Sequence, residues 1–306
     1  MDFRKILIGL TLSLFLGNGA AVAANYMIGL SAYASGDDAT ALSEFTPLAN
    51  GGDARAQYYL GVMNANGQGV VVNDKIAVKW YSKAAKQGHI KAQYELANAY
   101  SYGDGITKSD ESAAKWYAKS AEQGHDGAQF SLGVNYRLGR GVLQDDKKAA
   151  YWFIKAAEQG FPEAQSVLSN LYAMGTGVLK DYKKAVKWGT KAAKQGNAYG
   201  QEMLGNAYAF GNGVLKNDKT AVMWWTKAAK QGLADSQFQL GVSYYNGTGV
   251  LRDRQLAYVW LNLADFNGSV GARAARETVT KSLTSNQIAI AQDMASRCLE
   301  SSYNDC

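Results

Sequence analysis

Side chains suited to covalent or metal chemistry are scarce in this sequence of 306 residues, which has two cysteines and two histidines. Cys298 and Cys306 are eight residues apart, and in an oxidising compartment they could close a small loop as a disulfide. Chain entropy would make such a bond worth roughly 2–3 kcal/mol. Two free thiols, or a bond to another chain, are the alternatives. A redox role is disfavoured because the spacing is not C-x-x-C.

The two histidines, His89 and His125, occupy equivalent positions, 36 residues apart, in a repeat that is described below. One metal ion held by both is the obvious hypothesis. Equivalent positions of stacked helical repeats lie about 10 Å apart, however, which is too far for one ion to bridge. We therefore expect no metal site, and so little histidine does not indicate a Ser/His/Asp or Cys/His catalytic set.

Gly-x-Gly sequences, such as the one from Gly103 to Gly105, could indicate a phosphate-binding loop. They lack the Lys-Ser/Thr of such loops and recur six times as turns, so we expect no nucleotide and no other cofactor. The net charge of +6 favours anionic partners only weakly. Lysines on the predicted outer helices are interpreted as a solvated face, with an anionic surface partner as the alternative, and nucleic acid is disfavoured as a partner.

One period of 36 residues accounts for most of the glycine and tryptophan. Seven glycines define it: Gly52, Gly88, Gly124, Gly160, Gly196, Gly232 and Gly268. Counted from each of these as position 0, position 8 is always Leu, position 25 always Ala, position 28 always Trp, and positions 15 and 17 always Gly. The period gives six full repeats over residues 52–267.

Each repeat is predicted to form two helices, A and B, joined by the Gly-rich turn. Apolar residues at positions 4, 8 and 12 form a short stripe on helix A, and those at 25, 28, 29 and 32 form a longer stripe on helix B. Position 21 is always Asn, Ser or Asp, side chains that start helices by accepting from free N–H groups. The Gln-Gly pair that closes most repeats should end helix B, because glycine readily adopts the left-handed conformation.

Helices of about 12 residues are marginal alone in water, so stability should come from stacking, with the Trp at position 28 and the Leu at position 8 buried between repeats. The sequence therefore predicts an all-α, right-handed superhelical solenoid of helix-turn-helix repeats rather than two compact domains. Residues 24–51 should form a shortened N-terminal capping repeat, and residues 268–306 C-terminal capping helices. Thr284 or Ser285 should start the last helix, which should run to about Arg297.

The first 23 residues have the pattern of a secretory signal peptide. Arg4 and Lys5 precede a run of apolar and small residues at positions 6–17. An A-x-A sequence, typical of a signal-peptide cleavage site, follows this run. A membrane anchor is the alternative, but a spanning helix needs about 20 apolar residues. We expect cleavage after Ala23, or after Ala24, and a periplasmic mature protein without stable membrane insertion.

The repeat resembles the Sel-1-like repeat family, a relative of the tetratricopeptide repeats. The resemblance is carried by A-x-x-x-L-G, Y-x-x-G-x-G-V, A-x-x-W and A-A-x-Q-G, and it covers about 280 residues. Gly200 and Ser236 replace the first alanine of the motif, and Gly189 stands where an aromatic residue is usual. The resemblance implies an all-α solenoid and a protein-binding or adaptor role, and it carries no catalytic residues.

The A helices of such arrays line the concave side, where positions 3, 7, 10 and 14 lie opposite the buried stripe. These positions vary most between repeats, and several hold Tyr, Met or Phe, as protein interfaces do. Packing between neighbouring A helices is the alternative explanation. The predicted protein-binding residues are Tyr59, Val62, Tyr102, Val134, Leu138, Val167, Met174, Tyr199, Met203 and Phe210.

The leading hypothesis is thus a periplasmic interaction protein that is not an enzyme and grips a protein partner of unknown identity. Some family members are immunity proteins against phospholipases delivered by type VI secretion, so neutralising a secreted toxin of that kind is one alternative. A β-lactamase-like hydrolase is disfavoured, because the relatives linked to that activity carry cysteine pairs throughout their repeats. A cell-envelope scaffold is not separable from the leading hypothesis.

Overall fold

The computed structural model describes residues 23–303 and Cys306. The predicted signal peptide, apart from Ala23, lies outside the described residues. The described residues form sixteen helices and no strand, which confirms the all-α class and the helix-turn-helix repeat. They divide into two compact units at Gln144 and Asp145, in the turn between two helices of one repeat.

In each unit, helices that follow one another in the sequence pack together, except that the last helix of the second unit packs on the helix two before it. The first unit contains α1 (residues 23–35), α2 (Asp38–Asn50), α3 (Ala54–Asn66), α4 (Asp74–Lys86), α5 (Ile90–Tyr102), α6 (Asp110–Glu122) and α7 (Asp126–Leu138). The second contains α8 (Asp146–Glu158), α9 (Pro162–Met174), α10 (Tyr182–Lys194), α11 (Ala198–Phe210), α12 (Asp218–Ala229), α13 (Ala234–Asn246), α14 (Arg254–Phe266), α15 (Ala272–Thr280) and α16 (Ser285–Glu300). Odd-numbered helices from α3 to α13 are the A helices, and even-numbered ones from α4 to α14 are the B helices.

The predicted start and stop signals act as expected. The residue at position 21 caps every B helix by accepting a backbone N–H; these caps are Asn73, Ser109, Asp145, Asp181, Asn217 and Asp253. The glycine at position 15 ends every A helix in the left-handed conformation, with φ from 67° to 88°. At the far end, Thr284 caps α16 in a capping box with Gln287, and α16 continues to Glu300.

The glycine at position 17 has a role beyond the turn. A Cβ atom on Gly177 would overlap the backbone of Asp146 at the start of α8, and Gly213 and Gly249 sit equally close to the first turns of α10 and α12. Only glycine permits this approach, because any side chain would push the two backbones apart. Each turn of the second unit therefore rests on the B helix of the preceding repeat.

The core differs from the prediction in its aromatic residue. The Leu at position 8 is buried in every repeat, as expected, but the Trp at position 28 is only half-buried in five repeats, and Trp260 alone is buried. The buried aromatic is at position 29, as in Tyr117, Phe153 and Trp225. In four repeats a lysine at position 31 lies over the position-28 ring, its Nζ atom 4.1 to 4.5 Å from the centroid, so these indoles contact solvated cations.

In five repeats a side-chain amide pair that was not predicted links the two ends of the repeat; the position-5 glutamine is buried, and its partner at position 35 is exposed or half-buried. Gln165, at position 5, donates to the Ala157 carbonyl (3.1 Å) and accepts from Gln195, at position 35 (2.8 Å). The same pairing joins Gln87 to Gln57, Gln123 to Gln93, Gln231 to Gln201, and Asn267 to Gln237. The Gln of the closing Gln-Gly pair therefore has two roles: it ends helix B, and its side chain donates a hydrogen bond to helix A of the same repeat.

Candidate functional site

The ten predicted binding residues all lie on A helices, and the structure sorts them by exposure. Five are exposed and five are half-buried. The exposed ones are Tyr102, Leu138, Met174, Tyr199 and Phe210. The half-buried ones are Tyr59, Val62, Val134, Val167 and Met203.

Four of the exposed residues are the last residues of their helices, at position 14, and are called here the A-end residues: Tyr102 and Leu138 in the first unit, Met174 and Phe210 in the second. Their exposure is between 52% and 73%. The left-handed glycine that follows each of them stops the helix there, so the position of each side chain is fixed by its backbone. Exposed apolar side chains of this size on an ordered backbone are suited to binding another protein.

Tyr59 and Val62 take part in the packing of the first unit. The Tyr59 ring stacks on Phe45 with centroids 5.0 Å apart and meets Tyr33 edge-on at 5.1 Å. Val62 packs against the apolar cluster around Leu96. These side chains hold neighbouring helices together and offer a partner only their remaining exposed surface.

Met203 lines a cavity of about 70 Å³ in the second unit, together with Ser169, Tyr182 and Asn206. Gly189 faces the same region, since a Cβ atom built on it would lie 2.9 Å from Ser169 Oγ and 3.7 Å from Met203 Cβ. Gly189, at the position that holds an aromatic residue in four of the repeats, thus lies next to two of the residues that line this cavity.

Both histidines cap helices. The Nδ1 atom of His89 accepts from the Ala92 N–H, and that of His125 accepts from the Ala128 N–H, each at 3.2 Å. Their rings stack on Tyr58 and Tyr94, with centroids 4.8 and 4.5 Å apart. Burial lowers the pKa of both imidazoles, which suits the unprotonated acceptor that a cap requires.

The repeat structure and its motifs match a known family. Six consecutive segments fit the family described as Sel1 repeat: residues 54–89, 90–125, 127–161, 162–197, 198–233 and 234–264. The chain belongs to the Sel1 repeat family. The resemblance found in the sequence is therefore confirmed, and Sel1 repeats are scaffolds for protein–protein interaction.

Solved structures similar to this chain include two with TM-scores above 0.6, which share its fold. A protective antigen of uropathogenic Escherichia coli, c5321, is 32% identical with a TM-score of 0.65, over 92% of this chain and 70% of its own. A Sel1 repeat protein from Oxalobacter formigenes is 31% identical with a TM-score of 0.71, over 78% of this chain and 96% of its own. The immunity protein Pa5087 from Pseudomonas aeruginosa is 24% identical with a TM-score of 0.41, over 70% and 81%. No curated protein relative matches.

The Sel1 repeats contain an ionisable group, Glu202, that was not predicted as functional. Glu202, on α11, stands at position 6, where the first two repeats have tyrosine. Burial, with a smaller contribution from the negative charge of Asp235, raises the pKa of Glu202 to about 7. Its side chain also interacts with Asn206, whose Oδ1 accepts from the Trp225 indole N–H at 3.0 Å. The substitution of a carboxyl for an aromatic ring within the repeat alignment is the signal that could have revealed it.

The two cysteines lie at bonding distance, with Cα atoms 4.9 Å apart, at the end of α16. Cys298 is buried in the apolar cluster of the last repeats, and Cys306 packs at its margin. Between residues 23 and 303, no helix combines the length and apolar character needed to cross a bilayer. The same stretch has no cluster of three or more His, Cys, Asp or Glu side chains placed to hold a metal ion.

Proposed function

We propose that this Sel1 repeat protein binds a protein partner through its A-end residues and performs no catalysis itself. The observation that carries the proposal is that four successive A helices end in a large apolar side chain that is more than half exposed. The first and last A helices end in Asn66 and Asn246, so the fold accepts a polar residue at this position. An apolar residue there is therefore not a requirement of the repeat.

The half-buried residues contribute less in this proposal. Tyr59, Val62 and Met203 already contact neighbouring helices or a cavity wall, and Val134 and Val167 are half-buried, so a partner gains less additional buried area from these five than from the exposed residues. Tyr199, exposed at the start of α11, would extend the contact in the second unit.

The proposed location is the periplasm. The signal-peptide pattern of residues 1–23 supports it, and so do two cysteines at bonding distance, because disulfides persist in oxidising compartments. We expect a Cys298–Cys306 disulfide in the mature protein. Peptide mapping after alkylation without reductant tests this, since alkylation of both thiols would contradict it.

Affinity purification from periplasmic extract tests the binding surface. The variant carries Tyr102→Asn, Leu138→Asn, Met174→Asn and Phe210→Asn, which places at each A end the residue found at Asn66 and Asn246. We expect recovery of the partner to fall at least about tenfold, because loss of a few central apolar contacts dominates binding energy.

The matched control is Phe266→Asn, at a site that is 71% exposed but lies at the end of a B helix. It should leave recovery unchanged. Equal recovery by the fourfold variant and the wild type would overturn the surface assignment. A toxic phospholipase as the partner would favour the immunity hypothesis, and β-lactam hydrolysis by the purified chain would overturn the non-enzymatic proposal.

A further inference from the structure

The turn between helices A and B carries a second exposed apolar position, distinct from the A-end residues. Position 19 is aliphatic in five repeats and 89–92% exposed in each of them. The residues are Val71 and Leu143 in the first unit and Leu179, Leu215 and Leu251 in the second. Thr107 occupies the same position in the remaining repeat.

Packing does not account for these side chains. The residue just before, at position 18, packs inward, as Ile106 and Val250 do against the apolar clusters of their units. The residue at position 19 points away from the core and is almost fully solvated. Thr107 shows that the turn forms with a polar residue there, so an aliphatic side chain at this position costs solubility without adding core contacts.

Backbone contacts of the turns place the leucines along one edge of the second unit. The backbone N–H groups of Asp181, Asn217 and Asp253, two residues after the leucines, donate at 2.9 Å to carbonyls near the end of the preceding A helix. The glycine at position 17 presses each turn onto the preceding B helix, as described above. Leu179, Leu215 and Leu251 therefore recur along that edge at the repeat spacing of about 10 Å.

Each of these three leucines is followed by an exposed basic residue: Lys180, Lys216 and Arg252. The six-residue segments that start at the leucines contain seven basic and three acidic side chains. The corresponding segments that start in the first unit, residues 71–76, 107–112 and 143–148, contain four basic and five acidic side chains. Positive charge beside exposed leucine is thus a property of the second unit.

We propose that the edge formed by Leu179, Leu215 and Leu251 binds the surface of an anionic lipid bilayer. The leucines insert among the acyl-chain ends of the headgroup region, and Lys180, Lys216 and Arg252 lie at the level of the lipid phosphates. Single leucines about 10 Å apart, each beside a cation, do not form the contiguous apolar patch of a protein interface. A second copy of this edge would bring like charges together.

Vesicle sedimentation tests the proposal, with the whole chain and with vesicles of phosphatidylglycerol and phosphatidylethanolamine or of phosphatidylcholine alone. We expect binding to the anionic vesicles, and little to the neutral ones. The variant Leu179→Thr, Leu215→Thr, Leu251→Thr, which copies Thr107, should bind at least about tenfold more weakly. The variant Lys180→Gln, Lys216→Gln, Arg252→Gln copies Gln144. Its affinity for anionic vesicles should fall about fivefold for each positive charge removed.

A fluorophore distinguishes vesicle binding by this edge from vesicle binding by residues 1–23. In a Cys298→Ser, Cys306→Ser background, an environment-sensitive dye on Leu215→Cys should shift to the blue on anionic vesicles, whereas the dye on Thr107→Cys should not. All side chains changed on this edge are exposed, so circular dichroism and thermal unfolding should match those of the same chain without the edge substitutions.

The proposal is overturned if the wild type does not bind anionic vesicles, if the threonine variant binds them as tightly as the wild type does, or if the emission of the dye at position 215 does not shift. Equal binding to neutral and anionic vesicles would also overturn it, because the basic residues would then contribute nothing to binding. The protein-binding proposal is independent of these outcomes, because the A-end residues are unchanged in every variant.

Discussion

Two neighbouring repeats of the second unit fill the same position in opposite ways. At position 29, α12 has Trp225, which is buried and donates its indole N–H to Asn206, whereas α10 has Gly189, which lies beside two residues that line a cavity of about 70 Å³. Both repeats nevertheless keep the glycine-capped A helix, the buried leucine and the glutamine pair. Caps, leucine and glutamines therefore define the repeat, and we expect the aromatic residue to add stability to it.

The largest expected effect comes from making α12 like α10. Trp225→Gly should lower the free energy of unfolding by about 3–5 kcal/mol, because it removes a buried indole and leaves a cavity. Urea unfolding followed by circular dichroism measures it. Trp225→Phe, which copies Phe153 of α8, should cost far less. A loss below about 1 kcal/mol for the glycine variant would contradict the role given to the aromatic residue.

A feature that both repeats share gives the next largest effect. Gln165→Ala should destabilise the chain by about 2–3 kcal/mol, since the buried Ala157 carbonyl and the Gln195 amide both lose a partner. The exposed Gln144→Ala is the control and should change stability by less than about 0.5 kcal/mol. Similar chemical unfolding of the two variants would show that the glutamine pair is dispensable.

Glu202 should make the stability of the repeat that contains Trp225 depend on pH. Its side chain interacts with Asn206, which accepts the hydrogen bond of the Trp225 indole N–H. Its folded pKa of about 7 lies above the ordinary value of 4.5, so its contribution is complete below about pH 4.5 and is lost as the pH rises through 7. Glu202→Gln should remove this dependence and stabilise the chain at pH 8 by on the order of 1–2 kcal/mol. Thermal unfolding from pH 5 to 8 measures it, and parallel curves for variant and wild type would contradict it.

The smallest effect comes from adding atoms to α10. Gly189→Ala together with Ser169→Ala should stabilise the chain by no more than about 0.5 kcal/mol, because the gain from alanine in the helix is partly offset by loss of the buried hydrogen bond from the Ser169 hydroxyl to the Ala185 carbonyl. Gly189→Ala alone should be close to neutral, since the added Cβ lies 2.9 Å from Ser169 Oγ. Equal melting temperatures for the double variant and the wild type would show that the region has already closed around the glycine.

The candidate site was predictable in part. The sequence pointed to the A helices, and five of the ten residues it named are exposed there, while their role in binding stays a prediction. It could not separate Tyr102, at a free helix end, from Tyr59, which stacks on Phe45 of another helix. Both are tyrosines on the predicted open face, and only the packing of the neighbouring helix distinguishes them.

The sequence by itself determined the period, the two helices of each repeat and their ends, because caps such as Asp181 and Gly175 act on backbone groups within a few residues. The tertiary structure alone decided that the position-29 aromatic is buried while the position-28 tryptophan stays half-exposed, that Gln165 and Gln195 pair across 30 residues, and that Leu215 faces water. The physical reason is distance along the chain. A cap is satisfied by its immediate neighbours, whereas burial depends on which helices pack against a side chain.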